Sequence, residues 1–280
     1  MAAQTLDALV NEHYGTKGLL DRILTAARDA GIVLDEARSD DFSPVSEFHI
    51  GGRRATIDLA KMAQLCVGDK VLDIGSGLGG PARTLVEQFD VQVEGIDLTH
   101  EFCVVANELT RMTGLSNQAK FFQGDALSLP RDPNTYDVVW TQQSCMNIED
   151  KRQMLSEVCR VLKPGGTYVF QEVLAGDQDG PIKLPVPWAG KVDMSFLWSP
   201  DAIRNLILRV GLVDAIWKNA TNQYMEEYRI LAAKTGDSAQ PPIMGGHLLL
   251  GKQAGLMRKN VVENLSLGLI SVYQGVFKKL

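Results

Sequence analysis

Val71-Leu72-Asp73-Ile74-Gly75-Ser76-Gly77-Leu78-Gly79-Gly80 is an apolar run that ends on an acid and breaks into a glycine-rich turn. Glycine lets the backbone turn tightly and leaves room for a ligand where a Cβ would stand. Two similar endings follow. Asp97, 22 residues after Gly75, closes the apolar stretch 91–96, and Gly124-Asp125-Ala126 follows the stretch 119–123. The pattern predicts short buried strands over 70–74, 91–96, 119–123, 136–141 and 167–173. Helices are expected between them over 81–88, with Pro81 in the first turn, over 99–113, with Thr99 as N-cap, and over 150–162. Lys163-Pro164-Gly165-Gly166 should stop the last of these. Strands alternating with helices over short links imply an α/β fold, a doubly wound and mainly parallel sheet.

Outside this unit the chain is less regular. Leu20, Ile23, Leu24 and Ala27 share a helical face over 19–30, and Gly31 is a stop signal. Residues 40–44 read as a loop and 56–65 as a helix. The stretch 175–198 is rich in Gly, Pro, Asp and aromatic residues and is expected to be a long functional loop. Ser199 as N-cap and Pro200 start a helix to 210, a strand follows over 213–217, and helical stretches lie around 225–234 and 248–265. A closing strand is expected over 266–278. The organisation is thus an N-terminal helical cap segment (1–55), an α/β core (56–218) carrying the substrate loop (175–198), a helical cap insertion (219–265) and the last core strand (266–280).

The chain has 280 residues and a formal net charge of −6, with no basic block. A nucleic-acid partner is therefore disfavoured. No apolar run reaches membrane-spanning length, and residues 1–11 lack the pattern of a signal peptide. Cys66, Cys103, Cys145 and Cys159 are widely spaced and form no zinc or disulfide pattern. The expectation is a cytoplasmic protein with reduced cysteines, no metal and no membrane partner, with a homodimer left open.

Gly75, Gly77 and Gly80 also satisfy the Gly-x-Gly-x-x-Gly dinucleotide fingerprint, so the glycines alone do not choose the ligand. Three further features favour S-adenosylmethionine (SAM) over a nicotinamide dinucleotide. Asp73 stands where a carboxylate suits an ammonium group and would crowd a pyrophosphate. Asp125 can accept from an adenine amino group. About seventy residues precede the turn, whereas dinucleotide domains often begin with it. The expected cofactor contacts are Asp73, Gly75, Ser76, Gly77, Gly79, Asp97, Leu98, Gly124, Asp125, Ala126, Thr141 and Gln142.

With those residues in place, the chain resembles the class I SAM-dependent methyltransferases. The stretch from Asp73 to Gly79 is similar to that family's first motif, Asp97 to its ribose acid, Asp125 to its adenine-side acid, and Leu162 to Gly166 to its loop before the fifth strand. The resemblance covers roughly 56–217 and implies a Rossmann-like seven-stranded sheet whose last strand runs antiparallel. Phe48-His49-Ile50-Gly51, Gly79-Gly80-Pro81-Ala82-Arg83 and Trp140-Thr141-Gln142 look like the small-molecule branch containing sarcosine/dimethylglycine, phosphoethanolamine and tocopherol methyltransferases. The loop 175–198 departs from the amine-methylating members, so the acceptor does not carry over.

The resemblance implies in-line displacement at an activated methyl, leaving S-adenosylhomocysteine. Alignment alone can supply about 7–11 kcal/mol of such a barrier. The acceptor would be a small molecule, methylated on N, O or C. His49 and Gln143 are the candidate catalytic residues. Met146, Trp188, Phe196 and Trp198, with Met194, are the candidate acceptor contacts. An aromatic wall there could exclude water or hold a cation, worth about 0.5–2 kcal/mol. His100 reads as structural, His13 and His247 as local packing, and Cys145 as inert. The loop from Thr141 to Asn147 lacks the Asn/Asp-Pro-Pro-aromatic tetrad of nucleobase-methylating enzymes. The alternative readings are an NAD-dependent oxidoreductase and a SAM-binding protein without catalysis.

Overall fold

The computed structural model describes residues 18–235 and 242–280. The expectations for residues 1–11, for His13 and for the first part of the 1–55 segment lie outside the described residues. Helices α1 (Leu19–Asp29), α2 (Ser39–Ser46) and α3 (Gly52–Ala63) precede the sheet unit. That unit runs β1 (Lys70–Ile74), α4 (Gly80–Phe89), β2 (Gln92–Asp97), α5 (His100–Met112), β3 (Ala119–Gln123), β4 (Tyr136–Gln142), α6 (Lys151–Val161), β5 (Leu162–Ala175), α7 (Pro200–Arg209) and β6 (Leu212–Asn219). After it come α8 (Thr221–Thr235), α9 (His247–Leu250), α10 (Ala254–Ser266) and β7 (Ile270–Lys279).

The seven strands lie in the order β3-β2-β1-β4-β5-β7-β6. Six run in one direction, and β7 is antiparallel to both of its neighbours, β5 and β6. The sheet buries both faces because its strands alternate. Leu72, Val139 and Phe170 pack towards α6 and α7, while Val71, Val138 and Val169 pack towards α3, α4 and α5. Each such side chain withdrawn from water contributes about 1.5–3 kcal/mol. The register aligns Asp97 with Gln123, Gln142 with Gln171, and Gln171 with Gln274. The polar ends of the central strands therefore share one edge, and that edge carries the site.

Several boundaries differ from the sequence reading, each for a local reason. Residues 40–44 are helical, within α2. The Arg38 N–H donates to the Asp41 carboxylate at 2.7 Å, and Phe42 and Val45 are buried. The missing N–H of Pro44 would have faced the carbonyl of Asp40, an exposed residue that water can satisfy. Thr99 occupies the N-cap position of α5, but its side chain makes no capping bond. The helix before Lys163–Gly166 ends at Val161, as that stretch leads one to expect, and Gly165, at φ 78°, turns the chain before the paired part of β5 resumes at Thr167. The helix expected over 248–265 is broken by Gly251, at φ 67°, into α9 and α10. Ser266 ends α10, so the closing strand starts at Ile270. The segment bounds at 55/56, 218/219 and 265/266 fall inside α3, β6 and α10 respectively.

Candidate active site

The turn after β1 is built from left-handed backbone. Gly75, Gly77 and Gly79 have φ of 74°, 53° and 73°. The space a Cβ on Gly75 would need is filled by Ser144 from the loop after β4, 2.2 Å away, and on Gly79 by Phe121, 2.5 Å away. The Ser144 hydroxyl donates to the carbonyl of Ile74 at 2.9 Å. These glycines thus let the β4 loop and β3 close onto the turn, whose Gly75 and Ser76 amides both donate to the Ile96 carbonyl, at 2.7 and 3.1 Å.

The carboxylates at this edge differ in state. Asp73 is buried, and its Oδ2 has no hydrogen-bond partner; the Ser76 hydroxyl and the Gln142 Nε2 are also buried without partners. Burial pushes the Asp73 carboxyl up to about 7, aided by the negative charges of Asp97 and Glu47. Asp97 is partly exposed. Its Oδ2 accepts from the Gly77 N–H and its Oδ1 from the Thr99 N–H, both at 2.9 Å. Burial raises its pKa, and the two amides oppose the shift. Leu98 and Gly124 lie beside it, the Gly124 N–H donating to the Asp97 carbonyl at 3.0 Å. Asp125 is exposed and accepts from the Leu127 N–H at 2.8 Å, while Ala126 packs on the core.

An unsatisfied buried carboxylate oxygen is costly. An ammonium donor would satisfy Asp73 and hold its proton off; a pyrophosphate would add to the repulsion. Asp97 keeps lone pairs free on both oxygens for hydroxyl donors. The residues at this edge therefore fit SAM.

Thr141 and Gln142 face opposite sides of β4, as consecutive strand residues must. Gln142 lies on the Asp73 face, its Oε1 accepting from the Trp140 indole N–H at 3.2 Å and lying 3.2 Å from the Thr56 hydroxyl oxygen. The Thr141 hydroxyl is engaged with the Tyr168 hydroxyl at 2.9 Å inside the core, away from the glycine turn. Gln143 has φ 56°, and its Oε1 accepts from the Ile50 N–H at 3.0 Å.

His49 joins a buried cluster that the sequence reading missed. Its Nε2 is 3.3 Å from Thr56 Oγ1 and 3.6 Å from Glu47 Oε2. Burial raises the Glu47 carboxyl, but His49 and the hydroxyls of Thr84 (2.6 Å) and Thr56 (3.0 Å) outweigh it and hold the group below the usual range. Glu47 stands two residues before His49 in sequence, which is the one signal that could have found it.

The expected acceptor contacts divide. Met146, Trp188 and Met194 pack together with Ile50, Val173 and Tyr224. The Phe196 N–H donates to the Met146 carbonyl at 2.8 Å. Trp198 instead lies against the α6–α7 core, with the Lys151 ammonium 5.9 Å from its ring centre. Glu172, Gln171 and Tyr224 also reach this region and were not foreseen. His100 is exposed at the start of α5, and His247 opens α9. Cys145 is buried, with its thiol pushed well above the ordinary value by burial and by Glu172. Among the described residues no His/Cys/Asp/Glu group could hold a metal, and no helix is long and apolar enough to cross a membrane.

Residues 72–170 match the family described as "Methyltransferase domain". The chain is 29% identical over 184 residues to the glycine/sarcosine/dimethylglycine N-methyltransferase of Actinopolyspora halophila, covering 66% of this chain and 31% of that protein. It is 31% identical over 134 residues to the methyltransferase GfsG of Streptomyces halstedii, covering 48% of each. The chain thus spans between about a third and a half of the length of these relatives. A solved phosphoethanolamine N-methyltransferase 2 of Haemonchus contortus, in complex with S-adenosyl-L-methionine, superposes with a TM-score of 0.73 at 19% identity, over 99% of this chain and 60% of that one. The seven-stranded sheet is that of the class I methyltransferases.

Proposed function

We propose, from the premise that this chain carries a class I methyltransferase domain, that it is a SAM-dependent methyltransferase acting on a small-molecule N, O or C acceptor. The observation that carries the reading is Asp73. It is a buried acid with an unpartnered oxygen, two residues before a glycine turn, where a ligand ammonium finds an acceptor and a pyrophosphate finds a like charge.

Bound SAM supplies a methyl group already activated by its sulfonium. The chain contributes position. Asp73 holds the ammonium end, Asp97 the ribose hydroxyls and Asp125 the adenine amino group, with Ser76 and Gln142 offering further polar atoms. Within the turn, Gly77 is the glycine whose Cβ position has no neighbour nearer than Phe48 at 3.6 Å, and there the ligand meets backbone. Gln143, fixed by the Ile50 N–H, orients the acceptor. His49 accepts a proton from an acceptor that must lose one, and the Glu47 carboxylate stabilises the resulting imidazolium. Met146, Trp188 and Phe196 form the apolar wall that keeps water out. The net charge of −6 supports a small acceptor over a polyanion, and the free state of the four cysteines accords with a cytoplasmic setting.

Calorimetry tests the reading. S-adenosylhomocysteine should bind at a single site, and excess NADH should not displace it. Retention of NADH without S-adenosylhomocysteine would overturn the proposal. Incubation with SAM labelled in the methyl group and a broad panel of small acceptors should then move the label onto at least one of them.

A further inference from the structure

The loop 143–148 is a junction. Ser144 seals the glycine turn at Gly75 and caps the carbonyl of Ile74. Gln143 holds Ile50 at the start of α3. The Asn147 amide donates to the carbonyls of Trp188 and Met194 at 2.7 and 2.9 Å, and Met146 accepts from Phe196. The cofactor side and the acceptor side therefore meet on six residues that form no strand or α-helix.

Two buried charges hold this junction from beneath. Glu172, on β5, is wholly buried. Its Oε1 accepts from the Ser144 N–H at 3.3 Å and its Oε2 from the Cys145 N–H at 3.1 Å. Lys151, at the start of α6, is 2% exposed, and its ammonium donates to the carbonyls of Cys145 at 3.0 Å and Ile148 at 2.6 Å. Every one of these bonds goes to main chain, so the pair fixes the path of the loop regardless of its side chains. Burying a carboxylate and an ammonium where apolar residues would pack is unfavourable. The two carboxylate oxygens of Glu172 each take one of two adjacent amides, which a carboxamide, with a single acceptor oxygen, cannot reproduce atom for atom.

We propose that Glu172 and Lys151 are positioning residues that clamp the loop 143–148 and so couple the cofactor turn to the acceptor wall. The proposal rests on the reading of those two sides as one site. The carboxylate form is the working form, because a protonated Glu172 presents a hydrogen to one of the two amides. The titratable groups facing it are Lys151 from α6, Cys145 from the loop, Tyr168 on its own strand and Tyr273, opposite it in register on β7. Of these, Lys151 carries the full charge that favours the carboxylate.

Hydrogen exchange read by mass spectrometry, combined with S-adenosylhomocysteine titration, tests the clamp. In Glu172→Gln at about pH 8, the amides of Ser144 and Cys145 should exchange at least tenfold faster than in the wild type. The amides of β5 and of the later turns of α6 should be unchanged, and the dissociation constant for S-adenosylhomocysteine should rise about tenfold. At about pH 5.5, after correction for intrinsic chemistry, the exchange of the two proteins should converge, a change that a merely structural residue would not give. Lys151→Met should loosen the same loop and add little to Glu172→Gln in the double variant. If Glu172→Gln does not fold, Lys151→Met and the wild-type pH series carry the same test. Unchanged exchange at 143–148, or acceleration spread evenly over β5 and α6, would overturn the clamp. Failure of the wild type to bind S-adenosylhomocysteine would overturn the functional reading instead, and the exchange result would still decide the clamp.

Discussion

Asp73 and Asp97 end neighbouring strands, yet their surroundings give them different work. Asp97 is satisfied by two amides and stays available to further donors. Asp97→Ala should weaken S-adenosylhomocysteine binding at least tenfold by calorimetry, since hydrogen bonds to a charged group contribute about 1.5–3 kcal/mol. Asp73 has one oxygen without a partner and titrates at about 7. Its unfolded value is near 3.8, so between about pH 4 and 7 the folded chain holds the extra proton. Stability from this group falls as pH rises through that window and levels off above it. The melting temperature of the free protein should therefore decline from about pH 5 to 8. Glu172, also raised to about 7, acts in the same direction, so Asp73→Asn should flatten the decline in part. Binding S-adenosylhomocysteine at about pH 6.5 should release a proton, measurable by calorimetry in buffers of different ionisation enthalpy; no proton release would contradict the ammonium assignment.

At the scale of elements, α4 is set against the N-terminal segment by one small residue. A Cβ on Gly80 would lie 2.4 Å from the Ser46 carbonyl oxygen and 2.5 Å from Glu47 Cγ. Backbone cannot move aside as a side chain can. Gly80→Ala should destabilise the protein by about 1–3 kcal/mol in denaturant titration and increase exchange in α2. The strands and helices of the sheet unit were legible because apolar runs and helical periods mark them directly. The helix α2 was not, because Asp40, Ser43 and Pro44 are turn formers, and only the Asp41 bond to Arg38 and the burial of Phe42 and Val45 overrule them. The break between α9 and α10 rests on a single glycine, whose φ the sequence does not reveal.

Across the whole molecule, α8 is tied to the sheet by Tyr224. Its hydroxyl donates to Gln171 Oε1 at 3.1 Å and accepts from Gln274 Nε2 at 2.9 Å, while the Gln171 amide reaches the Ile50 carbonyl at 3.1 Å. Four distant parts of the chain meet there. Tyr224→Phe should cost about 0.5–1.5 kcal/mol, because the hydroxyl's two bonds are lost while the Gln274 amide keeps Gln171 Oε1 at 3.1 Å; an unchanged unfolding midpoint would show that the network relaxes freely.

The sequence by itself determined the alternating sheet unit, the glycine turn and the three acids that follow its strands, because these depend on local period and on residues that end strands. Tertiary structure alone decided which side chains meet. Thr141 and Gln142 are neighbours in sequence, but the pleat sends one into the core and the other to the site. Lys151 and Glu172 lie apart in the chain, and only the packing of α6 against β5 brings their charges to the loop 143–148, while Glu47, just past α2, meets the hydroxyls of Thr56 and Thr84 from two further helices.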